Sequence, residues 1–145
     1  FHPARFTRYG AGLGRTLLGE IESWIAIRQR NGKAISGGLS GDPGLILPRV
    51  LPGADPSYNH MPVVFRSIPR LEKAQQLLWK RGIDTARMYE RPVHHIYPEL
   101  GYALDPEPFP GAAYIAPRLL VLPTHPYLKT GDIERMIQTI RETGR

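Results

Sequence analysis

Residues 119–145 read LLVLPTHPYLKTGDIERMIQTIRETGR, and they restrict the fold more than any other stretch. Four apolar residues are stopped by Pro123, which has no N–H to offer a sheet ladder, so the run reads as one short strand. After a turn, Ile133, Met136, Ile137 and Ile140 recur at three- and four-residue spacing, the signature of one helix face. Asp132 and Glu134 fall in the first turn and Arg141 in the last, as the helix dipole favours, and Thr130 is the expected cap. A strand feeding a helix with a single apolar stripe describes a small sheet with helices laid on it.

The same signatures recur upstream. Leu13 to Leu39 reads as one long helix, with Leu17, Ile21, Trp24, Ile25 and Arg28 on one face and Gly37 and Gly38 as its stop. Gly12, Gly14, Gly19 and Gly32 weaken it by up to about 1 kcal/mol each unless close packing compensates. Residues 43–50 form a short strand between prolines, 54–60 a turn, and 61–68 a second strand rich in β-branched and aromatic residues. A helix is expected from Pro69 to Arg81, capped by Ser67, striped by Leu71, Ala74, Leu77 and Leu78, and ended by Gly82. Residues 83–89 look extended, and 91–111 form a long loop whose aromatic residues favour an ordered, packed arrangement. A short helix over 111–119 is truncated or kinked by Pro117. The expected class is α/β (α+β): a small, mainly antiparallel sheet with helices packed on it, preceded by a long connecting helix. Residues 1–145 make a single domain, about 1–40 being the connecting helix and 41–145 the small α/β unit.

Composition narrows the function classes. At 145 residues with 41% hydrophobic and 22% charged residues, the chain has the balance of a globular domain. It contains no cysteine, which removes disulfides, thiolate zinc sites and cysteine nucleophiles together and fits a cytoplasmic location. No apolar run approaches the ~20 residues of a membrane span. The net charge is +6, yet the cations are scattered among acids and apolar residues rather than gathered in runs, so no nucleic-acid partner is expected. The chain begins at Phe1 rather than methionine, which suggests that upstream sequence is missing.

Residues with chemical potential do not assemble a complete active site by pattern. Lys33, Lys73, Lys80 and Lys129 lie on polar helix faces, at helix ends or in a turn, where an imine-forming lysine needs burial or a cationic neighbour. The histidines are His2, His60, His94, His95 and His125. Adjacent His94 and His95 point apart on an extended segment, and no HExxH or acid cluster at ligand spacing supports a metal site. None of the serines sits in a GxSxG elbow, and the glycine-rich RYGAGLGRT (8–16) is neither GxGxxG nor a P-loop.

Five stretches, in order, resemble the C-terminal domain of the DegT/DnrJ family, the pyridoxal-phosphate-dependent sugar aminotransferases of fold type I. EIESWIAIRQRNGKAISGGL (20–39) resembles the helix joining the two domains, with its Arg-Asn element at Arg28, Arg30 and Asn31. PGLILPRVLPGADPSYNHMPVVF (43–65), KRGIDTARMYERPVHHI (80–96) and FPGAAYIAPRLL (109–120) follow in the family's order, and 118–142 resembles its closing strand, xHPxL turn and helix.

The resemblance implies a larger enzyme. A separate N-terminal domain, absent here, would carry the imine lysine, and the complete protein would be a homodimer transferring an amino group between an amino-acid donor and a nucleotide-linked keto-sugar. Pyridoxal phosphate would serve that complete enzyme, with none expected to bind this segment alone. This segment would supply no catalytic residue and no metal site. Arg87, Tyr89 and His94 are the implied substrate contacts, and Arg8 is the implied cofactor contact across the dimer. The family's Asn-x-Arg element aligns with Phe6-Thr7-Arg8, so its asparagine is lacking. That departure favours the alternative, a non-catalytic binding or assembly module that retains the small-domain fold.

Overall fold

The computed structural model describes residues 7–102 and 106–144. Three strands, β1 (Leu45–Ile46), β2 (Met61–Phe65) and β3 (Leu119–Leu122), form one antiparallel sheet in the order β1-β2-β3. Leu45 pairs with Phe65, and Met61, Val63 and Val64 pair with Leu122, Leu120 and Leu119. Among the described residues a further bridge, Ala86 to Val121, continues the pairing beyond β3. The expected class is observed; the 43–50 strand shrinks to two residues because prolines bound it.

Alternation along β2 decides the layering. Met61, Val63 and Phe65 are fully buried while Pro62 and Val64 are half-covered. Helices α2 (Ile21–Leu39), α3 (Ile68–Lys80) and α6 (Thr130–Glu142) pack over the buried face. They contribute Ile35 and Leu39, then Leu71, Ala74 and Leu78, then Ile133, Met136 and Ile140. Each of these side chains larger than Ala74 stabilises the fold by roughly 1.5–3 kcal/mol relative to exposure, which is what holds a sheet this small.

Helix α3 follows its sequence signals. The Ser67 hydroxyl accepts from the Arg70 N–H at 3.3 Å. At the other end Gly82 takes φ +74°, its N–H donates to Trp79 O at 2.9 Å, and Ile83 N–H donates to Leu78 O at 2.9 Å. Those two bonds make a Schellman stop, with Ile83 and Leu78 both in the core.

The N-terminal helix departs from expectation. It is two helices, α1 (Arg8–Leu18) and α2, separated at Gly19-Glu20. There Gly19 N–H and Glu20 N–H donate to Thr16 O and Leu17 O, tightening the turn to a 3₁₀ pitch. The expected stripe from Leu17 to Arg28 is not the core face. Leu13, Leu17, Leu18 and Ile21 are all exposed, α1 has no buried residue, and full burial starts at Asn31.

Gly37 and Gly38 are not the stop either; α2 runs through them to Leu39, and Gly41 takes the left-handed φ of +82°. Gly38 instead lets α6 approach, since a Cβ there would lie 2.9 Å from Ile137 Cγ1.

Two further corrections concern the C-terminal half. Thr130 is the first residue of α6, not its cap; the Asp132 carboxylate secures that end by accepting from Lys129 N–H at 3.0 Å. The 91–111 stretch is partly helical, with α4 (Val93–Ile96) and a 3₁₀ turn at Pro98–Leu100. Its Tyr97, Tyr102 and Phe109 are exposed rather than packed into the core. Pro117 acts as expected: α5 (Pro110–Ile115) gives way to a 3₁₀ turn over Ala116–Arg118.

Candidate functional site

The scaffold around the site is fixed by polar bonds from α2. Asn31 is fully buried, and its Nδ2 donates to Thr124 O at 3.2 Å and His125 O at 3.3 Å. The Thr124 hydroxyl donates to Tyr58 O at 2.6 Å, and Arg28 Nη1 donates to Asn59 O at 2.8 Å. The Arg-Asn element thus clamps two turns, 58–60 and 124–125, to the helix. A buried amide with both ends engaged is a structural fastener, since leaving it unpaired costs about 1–3 kcal/mol.

Arg87 lies one residue beyond the Ala86 bridge to β3. Its Nη2 donates to Pro117 O at 2.9 Å, which pins the guanidinium to the 3₁₀ turn before β3. Its Nε is shielded from solvent without a hydrogen-bond partner. Among the described residues no carboxylate lies within ion-pair distance of it. A half-buried cation held by one carbonyl and facing no carboxylate is chemically suited to an anion. Arg118 follows Pro117, stacks over the Tyr114 ring at 4.4 Å, and likewise has a shielded, unpartnered Nε.

His94 is buried in α4, and its Nε2 lies 2.8 Å from Glu107 Oε1. The expectation that His94 and His95 point apart fails. They sit on one helical turn rather than an extended segment, and His95 Nε2 lies 2.7 Å from the other oxygen, Oε2. The two rings meet edge to face at 4.3 Å, and Phe109 closes the far side of His94 at 5.0 Å. Phe109 N–H also donates to Glu107 Oε1 at 2.8 Å. That backbone bond, followed by the His94 ring, holds the Glu107 carboxyl below its ordinary range. Sequence spacing could not reveal this cluster, because its third member arrives from thirteen positions downstream.

The remaining candidates are open to solvent. Tyr89 is 58% exposed, and Arg8 is exposed at the start of α1, where the Thr7 hydroxyl caps Gly10 N–H. Among the described residues no hydrogen bond, ion pair or ring contact joins Arg87, Tyr89 and His94 to one another. A cleft of about 500 Å³ that sequence reasoning missed lies beside the Ala86 bridge, lined among others by His60, Asp84, His125, Tyr127 and Asp132.

A pyridoxal phosphate imine needs a lysine inside a pocket. Lys33, Lys73, Lys80 and Lys129 are all exposed, and none lines that cleft. The described residues therefore do not by themselves fit the cofactor.

The comparisons agree with this partial character. Residues 2–141 match the DegT/DnrJ/EryC1/StrS aminotransferase family. The chain is 31% identical over 139 residues to a dTDP-3-amino-3,4,6-trideoxy-alpha-D-glucose transaminase of Streptomyces venezuelae, covering 96% of this chain and 36% of that protein. It is also 31% identical to the erythromycin biosynthesis sensory transduction protein EryC1 of Saccharopolyspora erythraea, covering 95% of this chain and 37% of that one. Among solved structures, S. venezuelae DesV in complex with a ketimine intermediate superposes with a TM-score of 0.83 at 31% identity, over 94% of this chain and 36% of DesV. Helicobacter pylori PseC shares the fold at a TM-score of 0.82 and 18% identity. The chain spans little more than a third of the length of these relatives. With its three-stranded sheet, its packed helices and a match running nearly end to end, the chain belongs to the DegT/DnrJ/EryC1/StrS aminotransferase family.

Proposed function

We propose that this chain is the small domain of a pyridoxal-phosphate-dependent aminotransferase acting on a nucleotide-linked keto-sugar, with the lysine-bearing domain lying outside it. The observation that carries the reading is the 31% identity and 0.83 TM-score to DesV over 94% of this chain, while none of its own lysines is enclosed. The cofactor, bound with the other domain, supplies the chemistry of amino transfer. The work of this segment is to bind and orient. Arg87, fixed by Pro117 O, presents its guanidinium to a carboxylate or phosphate. His94 has its Nε2 committed to Glu107, so Nδ1 is the atom left for substrate. Tyr89 offers an exposed ring and hydroxyl to the sugar, and Arg8 reaches a cofactor phosphate in the partner subunit of a homodimer.

Two measurements test this. Pyridoxal phosphate added to the 145-residue chain, reduced with borohydride and mapped by peptide, should label no lysine stoichiometrically. In the longer protein, Arg87→Met should lower kcat/KM for the sugar roughly ten- to hundredfold, the loss of one charge-assisted contact. A stoichiometric adduct on Lys33, Lys73, Lys80 or Lys129, or an unchanged kcat/KM, would sink the assignment.

A further inference from the structure

We propose that His94, His95 and Glu107 form a binding site for a divalent transition-metal ion of the zinc class. One ligand atom from each of these residues lies within 4.8 Å of the other two, and both imidazoles turn Nε2 toward one carboxylate. Two imidazoles and a carboxylate are the donor set of zinc, cobalt and nickel sites, whereas magnesium and calcium prefer oxygen alone. Three protein ligands leave a fourth tetrahedral position for water or an anion.

The local structure supports more than a surface accident. His94 is 6% exposed and walled by Phe109, so its ring has a fixed orientation. The Phe109 N–H bond to Oε1 orients the carboxylate, as outer contacts do in metal sites. His95 and Glu107 have side chains 40% and 28% exposed, which gives an ion a path in. Each imidazole would shift its proton to Nδ1 and offer the Nε2 lone pair. Ligation at about 2.0–2.2 Å places tetrahedral donors roughly 3.3 Å apart. The present spacings of 2.8 and 2.7 Å must therefore widen by roughly half an ångström, within reach of a rotation of Glu107.

The inference stands apart from the aminotransferase reading, because metal binding needs neither sugar nor cofactor. The test uses the 145-residue chain, stripped with EDTA. It is titrated with Zn²⁺ by calorimetry and with Co²⁺ by visible absorption. One equivalent of metal, with the strong d–d bands of four-coordinate cobalt, is the expected result. His95→Ala and Glu107→Gln should each weaken binding by at least ~10-fold. Both positions are solvent-accessible, so the variants should keep the wild-type circular dichroism, which is recorded alongside. No binding, or an equivalent that survives both substitutions and so belongs to other histidines, overturns the proposal. In that case the three residues are a hydrogen-bonded latch only.

Discussion

Gly32→Ala separates helix propensity from packing at the centre of the scaffold. Gly32 is buried on α2, where alanine is intrinsically better by about 1 kcal/mol. A Cβ at this position would press on the Tyr58 ring and lie 2.8 Å from Tyr58 Cβ. Contact at Cβ cannot be relieved by turning the ring. The Tyr58 backbone is also constrained: it sits at φ +48°, and its carbonyl accepts from Thr124 at 2.6 Å. Overpacking of this kind costs roughly 1–3 kcal/mol, so the net effect is a loss on the order of 1 kcal/mol, or about 4 °C in Tm. Tyr58→Gly provides the control, since glycine takes that φ freely and removes the ring. In that background Gly32→Ala should become stabilising by up to about 1 kcal/mol, a coupling on the order of 2 kcal/mol. Urea unfolding of the four proteins at constant m-value measures it. If Gly32→Ala raises the midpoint in the natural background, or costs the same without Tyr58, close packing is not the reason for the glycine.

Arg70 ties the 42–44 turn to α6: it pairs with both Asp42 oxygens and donates to Thr143 Oγ1 at 3.2 Å, the pair's side chains being 11% and 16% exposed. Arg70→Ala should therefore cost about 3 kcal/mol by urea unfolding, mostly from stranding Asp42. The Arg70 hydrogen bond, chief among several causes, holds the Asp42 pKa below its ordinary 3.8. Because the folded value is depressed, this stabilisation is complete above the unfolded value and is lost as pH falls through the folded one. Asp42→Asn should flatten the fall of stability below pH 3.8, and an unchanged acid limb would refute the linkage. On α1, Leu13 and Leu17 are 49% and 51% exposed on a helix with no buried residue. These exposed leucines predict that the chain self-associates in sedimentation and that Leu13→Glu with Leu17→Glu reduces it, leaving the unfolding free energy within about 0.5 kcal/mol.

The elements legible in the sequence were those whose signals are local. The stripe of α3, its Ser67 cap and its Gly82 stop are each decided within a few residues, and all three hold. The same is true of β2, β3 and the break at Pro117. Gly37 and Gly38 misled as a helix stop, and the packing that was the condition for tolerating Gly32 is tertiary. Gly38 makes room for Ile137 and Gly32 for Tyr58, partners more than twenty residues away that no helix rule anticipates. The histidine cluster was hidden for the same reason: adjacency says how two side chains diverge on a given backbone, not which distant carboxylate will bring them together.

Arg87 and α1 bear on the proposed function in a way that the internal bonds do not. Asn31 and Arg70 find their partners within this chain, so their chemistry is complete at the level of the segment. Arg87 carries a shielded, unpartnered Nε with no described carboxylate in ion-pair reach, Tyr89 stands largely in solvent, and the apolar face of α1 is exposed with no buried residue. Leaving apolar side chains in water forgoes about 25 cal/mol per Å², and leaving a shielded guanidinium N–H without an acceptor forgoes a charge-assisted bond. A domain that shares its site with another body would keep such groups, because the missing contacts are recovered on assembly. Either reading leaves such groups to another body, and the effect of Arg87→Met on kcat/KM is where a shared catalytic site and a non-catalytic assembly module part.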